Sequence, residues 1–176
     1  MKKILIIIIG VFLSSGTVFA QSQAEILRDN DGTKILKGII SKKELETDTA
    51  FAWWAENLKS FTPQSQAVAE LKKNHTIQFI AFMGTWCDDS RFIIPKFYLF
   101  LDAAGFPENQ VTLIGVDRSK KTLSHLAEAL SIKDVPTIIV MNNGKEVGRV
   151  VEYGKYGLFE KELGEIIASI PPSNVQ

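Results

Sequence analysis

The chain holds one cysteine, Cys87, in the segment Trp86-Cys87-Asp88-Asp89-Ser90. A thiol is a nucleophile only as its thiolate, so its placement decides what it can do. The local pattern puts Cys87 just past a strand-to-helix turn, in the first turn of a long helix, where free amides and the positive end of the helix dipole favour the anion. Asp88 and Asp89 set negative charge beside the sulfur and oppose that effect. They also stabilise the first helical turn by a few tenths to about 1 kcal/mol each. Ser90 can donate a hydrogen bond that favours the thiolate. The alternative, a small buried and inert cysteine, fits poorly with polar neighbours on one side and Trp86 on the other. A count of one excludes an intramolecular disulfide and a multi-cysteine zinc site, and with two histidines no metal centre is expected. Neither His75 nor His125 stands beside Cys87 in sequence, so both read as surface or locally satisfied groups. Of the adjacent Trp53 and Trp54, one must face away from the core.

The elements that position this cysteine are readable from periodicity. Residues 76–83 are β-branched and aromatic and too short for a helix, which predicts a buried strand, broken by Gly84. Phe92, Ile93, Phe97, Leu99, Phe100 and Leu101 have helical spacing, predicting a helix over 87–104 with a kink at Pro95. Strands follow at 111–116 and 136–141, with a short helix at 123–130 between them. Asn142-Asn143-Gly144 forms a hairpin turn into a strand at 146–151, and a helix over 158–169 ends before Pro171-Pro172. Upstream, a short strand is expected at 34–40. Ser41-Lys42-Lys43-Glu44 has the form of a capping box and opens a helical run through Leu45, Phe51, Trp54 and Leu58. Thr62-Pro63 begins a second helix that stops near Asn74. Strands joined by crossover helices together with one hairpin predict an α/β protein with a mixed central sheet and helices on both faces.

Twenty basic and twenty acidic residues balance over 176, and 45% of the chain is apolar. That composition gives no bulk attraction for nucleic acid and suits a globular domain with an appendage. The appendage is residues 1–20: a basic start at Lys2-Lys3, an apolar run over 4–13, and Val18-Phe19-Ala20 as a cleavage site, the form of a secretory signal. The apolar run is shorter than the roughly 20 residues that cross a bilayer, so no stable membrane anchor is expected. Removing Lys2 and Lys3 leaves 18 basic against 20 acidic residues, a net charge near −2. Export, to a periplasmic location, would put an unpaired thiol where thiols are normally oxidised in pairs.

Phe82-Met83-Gly84-Thr85-Trp86-Cys87-Asp88-Asp89-Ser90 followed by Pro95 resembles the active-site segment of the thioredoxin family: an apolar strand, Trp-Cys-x-x-Cys, and a proline within the next helix. Val135-Pro136-Thr137 before a strand and an Asn-Gly hairpin resembles that family's cis-proline loop, and Val116-Asp117 the end of its central strand. The likeness covers residues 66–169. It implies a thioredoxin-like fold over 63–176, with 21–62 as a partly helical N-terminal extension. It also implies that Cys87 is the attacking thiol, that Trp86 shields it, and that the backbone at Val135 beside Pro136 pairs with an extended substrate. Two departures fall on one apparatus. Ser90 stands where the family has its resolving cysteine, as in a Cys-x-x-Ser variant, and Ala81 stands where many members carry a buried acid. The resemblance therefore implies a thiol-disulfide oxidoreductase, a monothiol reductase or isomerase of a secreted bacterial kind. It needs no cofactor; its partners are protein or low-molecular-weight thiols and disulfides and an external resolving thiol. The alternatives are a redox-inactive module that binds a protein or peptide beside Pro136, and a single-thiol handler of peroxide or sulfenic acid.

Overall fold

Alternation along the central strand sets the architecture. In β3 (Gln78–Met83), Phe79, Ala81 and Met83 are buried in one core and Phe82 in another, as a side-chain period of two requires. β3 pairs parallel with β4 (Val111–Gly115) and antiparallel with β5 (Thr137–Asn142). β5 turns through Asn143 and Gly144, at φ of 51° and 73°, into β6 (Lys145–Val151), the positive φ pair of a tight primed turn. β1 (Gln23–Arg28) and β2 (Lys34–Ile40) form a hairpin whose second strand pairs antiparallel with β4. The sheet order is β1-β2-β4-β3-β5-β6. This computed structural model describes residues 23–171 except Ser60 and His75, so the signal at 1–20 and the reading of His75 lie outside the described residues.

The larger core lies under α1 (Lys42–Thr47), α2 (Trp53–Asn57), α3 (Ser65–Lys72), α4 (Asp88–Ala104) and α6 (Phe159–Ala168), which bury Leu45, Trp54, Leu71, Phe97 and Leu163 against the sheet. Phe79 is held edge-on between Phe97 and Phe106, at ring-centroid distances of 5.3 and 5.2 Å, a favoured aromatic geometry. On the opposite face α5 (Leu126–Ala129) packs Ala127 against Phe82, Ile114, Val116 and Ile139. The mixed sheet with helices on both faces is therefore as the periodicity predicts. Among the described residues, no helix is long and apolar enough to cross a membrane.

Several expectations need amendment. Residues 21–62, read as a partly helical extension, also supply β1 and β2 to the one sheet. The Ser41 capping box forms: Ser41 Oγ accepts from Glu44 N–H, and the Glu44 carboxylate accepts from Ser41 N–H at 2.9 Å. The run it opens breaks at Asp48, whose side chain accepts from Ala50 N–H at 2.9 Å and starts a 3-10 turn before α2. Here a local side-chain bond competes with helix continuation. Pro63 lies outside α3, which starts at Ser65 after an extended Gln64. The expected helix over 123–130 is interrupted because Ser124 and His125 take left-handed φ of 56° and 55°. Only α5 remains as α-helix.

Candidate active site

The turn that presents Cys87 is pinned by hydrogen bonds along its length. Cys87 N–H donates to Gly84 O at 3.0 Å, and Arg91 Nε donates to Thr85 O at 2.8 Å. Thr85 Oγ1 donates to Lys34 O at 3.0 Å and accepts from Leu36 N–H at 3.2 Å, tying the turn to β2. Gly84 leaves room for the indole of Trp86: a Cβ there would lie 2.7 Å from Trp86 Cε2. Trp86 Nε1 donates to Val116 O at 3.0 Å. The Arg118 guanidinium stands 5.2 Å from the Trp86 ring centre and is paired with Asp29 in the β1–β2 turn.

Cys87 is the N-cap of α4, in extended conformation. An N-cap side chain commonly accepts from the first-turn amides, but the half-buried thiol makes no such bond. It donates instead to Val135 O at 3.2 Å. The Val135–Pro136 peptide is cis, and Val135 is buried. Its loop is braced by Thr137 Oγ1 donating to Asp134 O at 2.7 Å and by Glu152 N–H donating to Pro136 O at 2.7 Å. The structure thus brings Trp86 and Cys87 together with Val135 and Pro136 from two separate segments.

Ser90 is fully buried, and its Oγ accepts from Gly84 N–H at 3.1 Å, bracing the strand-to-helix turn. Among the described residues its hydroxyl makes no hydrogen bond to the Cys87 thiol, which bonds Val135 O. Asp88 is almost wholly exposed and faces Arg91 at 3.3 Å. Asp89 accepts from Tyr153 Oη at 2.9 Å. Burial, with that hydrogen bond and the neighbouring charges, pushes the Tyr153 phenol up to about 12, so it remains a donor throughout the neutral range.

Sequence reasoning missed Tyr153, Glu152 and the role of Phe92, which it placed with the core residues of α4. Phe92 is 44% exposed and its ring centre lies 5.9 Å from that of Tyr153. The signal was present: Phe92 follows Asp88 and Asp89 by four and three residues, which puts it on the helix face of the first turn. Nothing local in sequence links residue 153 to residue 89. Among the described residues, no group of three His, Cys, Asp or Glu side chains could hold a metal ion.

A mixed sheet with a cysteine capping the helix after its central strand, opposite a proline loop, defines a protein of thioredoxin-like fold. The family model described as Thioredoxin matches residues 59–163. Thioredoxin H2-2 of Oryza sativa subsp. japonica is 37% identical over 91 residues, which span 51% of this chain and 62% of that protein. Thioredoxin of Chlamydia pneumoniae is 32% identical over 84 residues, 48% of this chain and 72% of the relative. In fold alone, the crystal structure of a protein of unknown function from Pseudomonas aeruginosa matches with a TM-score of 0.51 at 16% identity, covering 74% of this chain and 90% of its own. The chain belongs to the thioredoxin family.

Proposed function

We propose that the protein is an exported monothiol disulfide exchanger acting on protein or low-molecular-weight disulfides. The observation that carries this reading is the Cys87 thiol at the start of α4, half-buried and bonded to the carbonyl that precedes Pro136. Cys87 loses its proton to solvent, and the thiolate turns toward the first-turn amides. It attacks one sulfur of a disulfide. The Cys87–substrate disulfide forms, the old S–S bond breaks, and the second sulfur leaves as a thiolate that takes up a proton. Loss of the thiol proton also frees Val135 O to accept a backbone N–H of an extended substrate, by strand addition. The hydroxyl at position 90 cannot displace the bound sulfur and is turned to Gly84 N–H. A thiolate from solution or from the substrate must attack the mixed disulfide and return Cys87 to the thiol.

The test is intact-mass analysis of the folded protein after exposure to hydroxyethyl disulfide. One adduct on Cys87, reversed by added thiol and absent in Cys87→Ala, is the expected result. An unmodified Cys87 overturns the reading and leaves a peptide-binding module. Recovery from its own source without reductant, followed by identification of what is disulfide-linked to Cys87, would name the substrate.

A further inference from the structure

At the helix that Cys87 caps lies a partly exposed aromatic pair, the rings of Phe92 and Tyr153, 44% and 38% exposed and 5.9 Å apart. It bridges the first turns of α4 to the loop after β6, and that loop is bonded to Pro136 through Glu152 N–H. The surface is negative at its edges. Asp89 is held by a neutral phenol, not by a cation. Glu152 makes no ion pair among the described residues, and its charge reaches the same phenol, as do those of Asp89 and Cys87. The cations on the surrounding elements are committed elsewhere. Arg91 bonds Thr85 O and Asp88. Lys96 is buried, bonds Phe92 O and Asn57 Oδ1, and holds its ammonium 3.3 Å from the Phe92 ring centre. Lys155 pairs with Glu165 at 2.9 Å.

An aromatic face rimmed by uncompensated carboxylates complements one kind of side chain, with an apolar stem and a cationic head. We propose that the Phe92–Tyr153 face seats a lysine or arginine carried next to the reacting half-cystine of a polypeptide substrate. This rests on the reading of Cys87 as an exchanging thiol. The stem lies on the two rings, and the head reaches Glu152 and Asp89. Glu152 holds a left-handed φ of 52°, which glycine would adopt without strain, so its side chain can be changed without loss of a backbone requirement.

Three symmetrical disulfides of a short capped peptide, differing only in lysine, glutamine or glutamate next to the cysteine, provide the test. Formation of the Cys87–peptide adduct is followed by intact mass at low salt, with release of one peptide thiol per adduct. The lysine peptide is expected to react on the order of ten-fold faster than the glutamate peptide, with glutamine between them and the spread shrinking at high salt. In Glu152→Gln the lysine-to-glutamate ratio should fall several-fold, and in Phe92→Ala the lysine peptide should lose its advantage over glutamine. Equal rates for the three peptides, or a ratio unmoved by Glu152→Gln, overturn the proposal. Hydroxyethyl disulfide, which carries no charge, separates the two levels. If it modifies Cys87 while the peptides show no order, only the basic-residue preference fails; if nothing modifies Cys87, both readings fail.

Discussion

A hydroxyl is a far poorer nucleophile toward sulfur than a thiolate, and at position 90 the hydroxyl is spent on structure. Ser90 sits one helical turn after Cys87, buried, with Gly84 N–H bonded to its Oγ. Ser90→Ala would leave that buried amide unpaired and should lower stability by about 1–3 kcal/mol in a urea titration. Ser90→Cys is the more informative change, because it sets a second sulfur within one turn of the first. Its high effective concentration should shorten the life of a Cys87 mixed disulfide by roughly ten-fold or more. Intact-mass analysis after removal of excess disulfide reads this directly, and an unchanged lifetime would show that position 90 cannot take the resolving role. The residues of this site were legible to different depths. Trp86, Cys87 and the Val135-Pro136 pair could be placed because the family pattern fixes their spacing. The bond that Ser90 Oγ accepts from Gly84 N–H was not legible, because spacing along a helix does not tell which nearby group a hydroxyl will meet. Tyr153 was out of reach, since its bond to Asp89 spans 64 positions and depends on how the loop after β6 returns to α4.

Elements meet at backbone distances where no side chain fits, and the β2–β4 contact is the sharpest case. A Cβ on Gly115 would lie 2.1 Å from Leu36 O, an atom of the neighbouring strand that cannot rotate away. Gly115→Ala should push β2 off β4 at a cost of about 3 kcal/mol. Amide exchange across residues 34–40 should rise in that variant; protection equal to the native protein would contradict the contact. β6 carries a different device, the fork of Arg149 on Glu146 with both N···O distances 2.6 Å. The Arg149 hydrogen bond holds the Glu146 carboxyl below its ordinary value of 4.5. A depressed folded value means the stabilisation is complete above the unfolded value and is lost as pH falls through the folded one. Native protein and Glu146→Gln should therefore differ by about 0.5–1 kcal/mol at pH 7. The difference should shrink as pH falls below the ordinary value of 4.5, as followed by denaturation at stepped pH. Strands β3 to β6 were legible because their apolar runs are bounded by Gly, Pro and Asn. β1 was not, since Gln23–Arg28 is an edge strand in which Gln, Glu and Arg interrupt any apolar run, and an edge strand needs no such run to be held by its ladder.

For the whole molecule, residues 23–58 are part of the folding unit. Leu36, Ile40, Leu45, Phe51 and Trp54 are all buried in the same core as Phe97 and Leu163. A fragment starting at residue 63 would lack them and expose the edge of β4. It should show no cooperative thermal transition by circular dichroism, whereas the chain from residue 21 should unfold in one step. Composition suited a globular domain with an appendage, but did not show that the segment ahead of the recognisable motifs completes the sheet, because strand order is a property of long-range pairing. The same whole-chain view governs the chemistry. With one thiol in 176 residues, the proposed exchanger would carry one substrate sulfur at a time and would need a second molecule to let it go. The most direct measurement is the stoichiometry of thiol released when the reduced protein meets excess hydroxyethyl disulfide. The account predicts one equivalent of mercaptoethanol per chain, one adduct on Cys87, and no further release until an external thiol is supplied. Release of no thiol, or continued turnover without an added thiol, would contradict it.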